Sequence, residues 1–114
     1  MKIGIDIVVI KRIEDLIKKF GIEKLKFLNQ DEYYSKNPNT IAGIYASKEA
    51  FSKALGSGIG EEFSFRDISI IKNDKGKPLI KINSPTLKTK IKDCDVSITH
   101  DGGLAIAVVV LKFR

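Results

Sequence analysis

The sequence contains one cysteine and one histidine in 114 residues. With Cys94 alone, no internal disulfide and no cysteine-ligated zinc site can form. With His100 alone, a multi-histidine metal centre is excluded as well. Any bound metal is then held mainly by carboxylate oxygens, which favours a hard ion such as Mg2+. Long apolar runs are missing too. The stretch from Met1 to Ile10 is interrupted by Asp6, and Leu104 to Leu111 has the length of a buried strand rather than of a membrane span. No signal peptide is visible, so a cytoplasmic protein without membrane attachment is expected. No repeat, linker or low-complexity stretch divides the chain, and one domain over residues 1–114 is expected.

The composition is globular: 43% hydrophobic and 30% charged. A chain of this size buries roughly 65% of the surface it exposes when unfolded, so a subunit interface would add useful burial. Lys and Arg number 20 against 14 Asp and Glu, a net charge of +6. That excess points to an anionic partner: phosphate, nucleic acid or an acidic protein.

The β-branched run Ile3 to Ile10 predicts a strand, with Ile3, Ile5, Ile7 and Val9 on one face and Gly4, Asp6, Val8 and Ile10 on the other. Lys11 to Phe20 reads as an amphipathic helix and Glu23 to Leu28 as a second, short one, with a turn at Asp31–Tyr34. Asn37-Pro-Asn39 is a break. Thr40 then caps a long helix over Ile41–Leu55, ended by Gly56-Ser-Gly-Ile-Gly60. A strand around Ile68–Ile71, the turn Asn73–Gly76 and a strand Pro78–Ile82 form a hairpin. Ser84 caps a further helix with Pro85 at its first position. Two last strands, about Asp95–Thr99 and Leu104–Lys112, join through His100–Gly103. The pattern predicts an α+β fold, a mostly antiparallel sheet packed around one long central helix.

Asp6 is the first anomaly, because aspartate is depleted in strands and a buried carboxylate costs several kcal/mol unless partnered. On its own it equally fits a strand-end residue facing solvent. In the long helix, Ala42, Ala46, Glu49 and Lys53 fall on one stripe, opposite Ile41, Ile44, Phe51 and Leu55. Glu49 and Lys53 alone are also an ordinary exposed i,i+4 pair. Taken together, Asp6 and Glu49 are two carboxylates able to hold Mg2+ and leave room for phosphate, with Lys53 one turn on to neutralise it. That is equipment for phosphoryl-group transfer. Lys48 lies near the apolar side, where it snorkels or reaches a phosphate. Gly56–Gly60 lacks the lysine and spacing of a Walker loop and follows a helix instead of preceding one. It serves as a cap and turn, or as a close approach to a ligand. Ser97-Ile-Thr-His100 ends a strand with groups that bind phosphate or take a proton, or that are simply structural. Arg12, Lys18, Lys19, Lys24 and Lys26 make the first third basic, a solvated face or a dock for an acidic partner.

Gly4-Ile-Asp-Ile7 with Arg12-Ile13, Ala46-Ser-Lys-Glu-Ala-Phe-Ser-Lys-Ala-Leu-Gly-Ser-Gly-Ile-Gly60, Phe65-Arg-Asp-Ile68, Gly76-Lys-Pro78 and Ser97-Ile-Thr-His100 follow one another over nearly the whole chain. In this order they resemble the short bacterial 4′-phosphopantetheinyl transferases, the holo-acyl-carrier-protein synthases of fatty acid biosynthesis. The resemblance implies transfer of 4′-phosphopantetheine from coenzyme A to a serine of an acidic acyl carrier protein, with release of adenosine 3′,5′-bisphosphate. It implies that Asp6 and Glu49 are Mg2+ ligands and that Lys53, with Lys48, meets the coenzyme A pyrophosphate. Gly56, Ser57 and Gly58 would lie along the coenzyme A. Thr99 and His100 would contact its nucleotide end from a neighbouring subunit of a homotrimer, and Arg12 would dock the carrier. Two positions depart from the family pattern: Val9 stands where Glu is usual and Ile44 where Arg is frequent. The competing reading is a small basic module that binds nucleic acid or carrier protein without catalysis. Against it, no strand interleaves aromatics with Lys or Arg as a base-stacking sheet would.

Overall fold

The computed structural model describes residues 1–60 and 62–114. Strand β1 (Lys2–Val9) runs directly into helix α1 (Ile10–Phe20). After a connection containing two single 3-10 turns comes helix α2 (Pro38–Leu55), followed by strands β2 (Ile68–Lys72) and β3 (Pro78–Ile82). Helix α3 (Pro85–Lys90) and strands β4 (Ile91–Asp101) and β5 (Leu104–Phe113) complete the order. Every strand pair is antiparallel: β1-β5-β4 form one sheet and β2-β3 a separate hairpin. The expected α+β architecture around a long central helix is the one observed. None of the helices, among the described residues, is long and apolar enough to cross a membrane.

Several boundaries differ from the sequence expectation. Helix α2 begins at Pro38, with Asn37 as its cap: the Asn37 side chain accepts from the Asn39 N–H at 2.9 Å. Proline is at home there, because the first helical N–H has no partner in any case. Glu23–Leu28 is not a helix. Only Ile22–Lys24 makes a 3-10 turn, and the rest is irregular chain carrying the buried Leu25, Phe27 and Leu28. Strands β4 and β5 extend to a two-residue connection, Gly102-Gly103, with φ of +56° and +80°. A hairpin this tight needs both turn residues left-handed to match the strand twist.

Helix α2 is buried almost all round, from Ile41 to Ala54. Its small residues face the three-stranded sheet, where Val8, Ala105, Ala107, Val109 and Leu111 complete the core. At Gly4 the backbones of β1 and α2 touch: a Cβ added there would lie 2.0 Å from the Ala50 carbonyl oxygen and 2.6 Å from the Ala54 nitrogen. On the other side of α2, Phe51 stacks on Phe63 at 5.1 Å, and both are fully buried.

The same interior holds an ion pair. Lys48 Nζ donates to Glu32 Oε1 and to the Phe27 carbonyl, both at 2.6 Å, and both side chains are fully buried. Glu32 also accepts from the Asn29 N–H at 2.8 Å and from the Ile70 N–H at 2.7 Å. Four hydrogen bonds thus tie the 27–32 segment, α2 and β2 together. Burial pulls the Lys48 ammonium below its ordinary pKa, and the Glu32 charge opposes that pull. The expectation that Lys48 meets a pyrophosphate is corrected: its ammonium is held inside the protein, away from any surface ligand.

Gly4→Ala is expected to destabilise the fold by at least about 3 kcal/mol, because backbone on the far side cannot yield; thermal unfolding measures it. Lys48→Met leaves Glu32 charged, buried and unpaired, at a cost of about 3–5 kcal/mol. Adding Glu32→Gln, which removes the buried charge and keeps an acceptor oxygen for one of the two backbone N–H groups, is expected to recover part of that loss in chemical denaturation.

Candidate active site

Side chains alternate along β1, so Asp6 shares with Gly4 and Val8 the face that meets α2. Its side chain is 15% exposed, which removes the reading of Asp6 as a solvated strand-end residue. Lys53 Nζ reaches across from α2 and donates to Asp6 Oδ1 and to the Ile5 carbonyl, each at 3.1 Å. The Lys53 side chain is itself half exposed and can leave this position. Glu49 lies one turn earlier on the same stripe of α2 and is half-buried. Tyr45 lies one turn earlier again. Its phenol is pushed above the ordinary pKa first by burial and then by the Glu49 carboxylate, acting both as a neighbouring charge and as an acceptor; Asp6 adds to the shift and Arg12 opposes it. Arg12 lies in the first turn of α1, directly after β1. Of the residues the sequence suggested, Asp6 and Lys53 meet directly, with Glu49 one turn before Lys53 on α2.

The remaining candidates lie elsewhere in the chain. His100 Nε2 is 2.8 Å from the Asn39 carbonyl, and since a carbonyl only accepts, this nitrogen carries the proton. Asn39 lies in the first turn of α2, so His100 is separated from Lys53 by about 20 Å along the helix axis. His100 occupies the α2 side of β4, while exposed Thr99 points to the opposite face. Within one chain, Thr99 and His100 therefore do not join the carboxylates. His100 borders a cleft of about 180 Å³ with Tyr34, Ile44, Lys72, Pro78 and Ile98. Tyr34 is pushed up to about 12, chiefly by burial and then by Glu32 and Asp31. Gly56 caps α2 in the left-handed conformation, and Gly58 follows at φ +70°, with Ser57 donating to the Gly58 carbonyl at 3.1 Å. This loop leaves α2 just beyond Lys53. Val9 is 48% exposed and, by alternation, points away from Asp6.

Among the described residues no group of three or more His, Cys, Asp or Glu gathers at one point. The donor set is a pair of carboxylates with a lysine beside it. Hard oxygen donors, one of them partly desolvated, suit a hard divalent ion that takes its remaining ligands from phosphate and water. The residues present therefore fit Mg2+.

Comparison with known proteins identifies the family. Residues 2–109 match the profile of the 4′-phosphopantetheinyl transferase superfamily. The holo-[acyl-carrier-protein] synthase of Nautilia profundicola is 55% identical over 111 residues, covering 96% of this chain and 97% of the relative. That of Wolinella succinogenes is 53% identical over 116 residues, covering 98% of each. The crystal structure of the Helicobacter pylori holo-[acyl-carrier-protein] synthase in complex with coenzyme A superposes with a TM-score of 0.90 at 46% identity, covering 96% of this chain and 99% of that one. A Bacillus anthracis holo-(acyl-carrier-protein) synthase, in complex with CoA (3′,5′-ADP), gives 0.80 at 37% identity, covering 96% and 94%. An acidic strand residue facing a Glu–Lys helix stripe, within a fold and sequence matched almost end to end, places this chain in the 4′-phosphopantetheinyl transferase superfamily, among proteins similar to the holo-acyl-carrier-protein synthases.

Proposed function

We propose that the protein transfers the 4′-phosphopantetheine group of coenzyme A to a serine of apo acyl carrier protein in the cytoplasm, with Mg2+, releasing adenosine 3′,5′-bisphosphate. The observation that carries the reading is the meeting of Asp6 from β1 with Lys53 of α2, with Glu49 one turn away. Relatives named for this activity, at 55% and 53% identity, support the substrate pair.

In this proposal the carrier serine Oγ attacks the β-phosphorus of the coenzyme A diphosphate. The new P–O bond forms as the bond from that phosphorus to the bridging oxygen breaks, and the bisphosphate leaves with that oxygen. Asp6 and Glu49 would hold Mg2+, which when bound supplies positive charge to the diphosphate. Lys53, half exposed, swings from Asp6 to the phosphate oxygens and offsets the charge that builds on the leaving group. Serine is a weak nucleophile without a base. Within one chain Glu49 is the acceptor available for its proton, since that chain's own His100 lies at the far end of α2 with Nε2 bound to Asn39. Arg12, exposed on α1 beside this cluster, suits an acidic carrier surface.

The homotrimer belongs to the same proposal. Ile3, Ile5, Ile7 and Val9 are 69%, 58%, 57% and 48% exposed. Across the outer face of the sheet they adjoin half-buried Leu104, Ile106, Val108 and Val110 and exposed Thr99. A contiguous apolar sheet face of this kind marks an interface. Packing it against other copies would carry one subunit's Thr99 and His100 toward another's carboxylates, along the glycine loop at Gly56–Gly58.

Glu49→Gln is expected to slow modification of apo carrier by about 10²–10⁴-fold while circular dichroism stays unchanged. Intact mass of the carrier after incubation with coenzyme A and Mg2+ reads the transfer, and near-normal conversion would remove Glu49 from the site. Ile5→Lys is expected to convert the trimer to monomer in light scattering and to abolish activity with it; a trimer that survives this change would refute the sheet-face interface.

A further inference from the structure

The Asp6 carboxylate already has a cation. Lys53 Nζ donates to Asp6 Oδ1 and to the Ile5 carbonyl, each at 3.1 Å, so one ammonium closes on the side chain of Asp6 and on the backbone beside it. Those contacts lie where the divalent ion of the proposed reaction takes an oxygen donor. An ammonium and a divalent cation on one carboxylate repel each other, so each weakens the hold of the other. The strand cannot relieve that conflict by drawing back from α2. Two residues earlier, Gly4 lies so close to the helix that a Cβ there has no room against the Ala50 carbonyl. Of the two partners, Asp6 is mostly covered and Lys53 is half exposed. The lysine is therefore the one that moves. Its four-carbon stem turns into solvent, and an ion pair at the surface is weak enough to yield.

We propose that Lys53 is a latch on the ion site: on Asp6 it opposes the divalent cation, and the diphosphate of coenzyme A releases it by drawing the ammonium away. The inference rests on the reading of Asp6 and Glu49 as the ion's ligands and of coenzyme A as the donor substrate. Its consequence is a coupling between two ligands. Coenzyme A raises the affinity for the ion, and by linkage the ion raises the affinity for coenzyme A by the same factor. The latch thus discourages the ion from settling on the carboxylates before the substrate it serves has arrived. A diphosphate that bridges to the ion also couples the two, with no part for Lys53. The two origins differ in what they require of the ion alone. A latch makes ion binding without coenzyme A tighter when Lys53 is removed, whereas bridging leaves it as it was.

The experiment titrates Mn2+ into wild-type protein, Lys53→Met, Lys53→Gln, Arg12→Gln and Asp6→Asn, each with and without coenzyme A. Free Mn2+ is counted by its electron paramagnetic resonance signal, with a protein-free blank for the ion that coenzyme A itself holds. Thermal midpoints are measured alongside, and those of both Lys53 variants are expected to stay near wild type, because the pair they break is a surface one. Without coenzyme A, Lys53→Met and Lys53→Gln are expected to bind Mn2+ about fivefold more tightly than wild type, or better. With coenzyme A, that advantage is expected to vanish, so that the coupling factor falls by the same amount. Arg12→Gln removes a nearby charge without touching the latch and is expected to leave Mn2+ binding as in wild type. If it tightens binding as much as Lys53→Met does, the effect is one of net charge and the latch is overturned. If Asp6→Asn loses the ion while both Lys53 variants bind it no more tightly than wild type, the latch is overturned and the carboxylate reading stands. If Asp6→Asn binds Mn2+ as wild type does, the carboxylate reading falls and takes the latch with it.

Discussion

The contact of β1 with α2 at Gly4 governs the rest of the structure. No side chain fits between the two backbones there, since even a methyl group would overlap the Ala50 carbonyl. Close approach fixes the height of the strand over the helix, and alternation then aims the residue two positions on at the same helix. Asp6 meets Lys53 for that reason. The small residues of α2 are the other half of the constraint: Ala42, Ala46, Ala50 and Ala54 are all buried and leave the sheet room to settle. A helix with leucines at those places would bury more apolar area and hold the carboxylates apart.

Two charged pairs on α2, five residues apart, show how environment divides one chemistry into two tasks. Lys48 and Glu32 are sealed in the core with their remaining hydrogen-bonding capacity met by backbone groups. A pair so enclosed is rigid, and its removal exposes the full cost of desolvation. Lys53 and Asp6 sit at the surface, with the lysine half exposed and the aspartate mostly covered. A surface pair is worth little to stability, and the lysine is free to exchange one anion for another. The motif Lys48-Glu-Ala-Phe-Ser-Lys53 therefore carries a buried strut and a half-exposed, exchangeable cation on one helix.

Much of this was legible in the residues, and the failures have physical causes. Strands β2 and β3 and helix α3 were marked by their turn and cap chemistry, Asn73–Gly76 and Ser84-Pro85, which are local signals. The meeting of Asp6 with the Glu49–Lys53 stripe of α2 was legible because period two in β1 and period 3.6 in α2 each select a face. Glu23–Leu28 misled because Ile22, Leu25 and Leu28 repeat at helical spacing, whereas the Phe27 carbonyl is committed to Lys48, far off in sequence. Asn37-Pro38 looked like an interruption and is a start signal. Lys48 was misplaced because its partner Glu32 sits in an irregular segment where periodicity says nothing about burial.

Strand β1 finds its pairing partner in β5, with Asp6 opposite Ala107. Asp6 thus has no sheet to belong to until β5 has been made. Helix α2 and the β2–β3 hairpin can assemble from near neighbours during synthesis, but Asp6 cannot be seated by them alone. Non-local pairing of this kind slows folding. Its reward is that a truncated polypeptide, stalled before β5, has no finished site with which to capture its ligands.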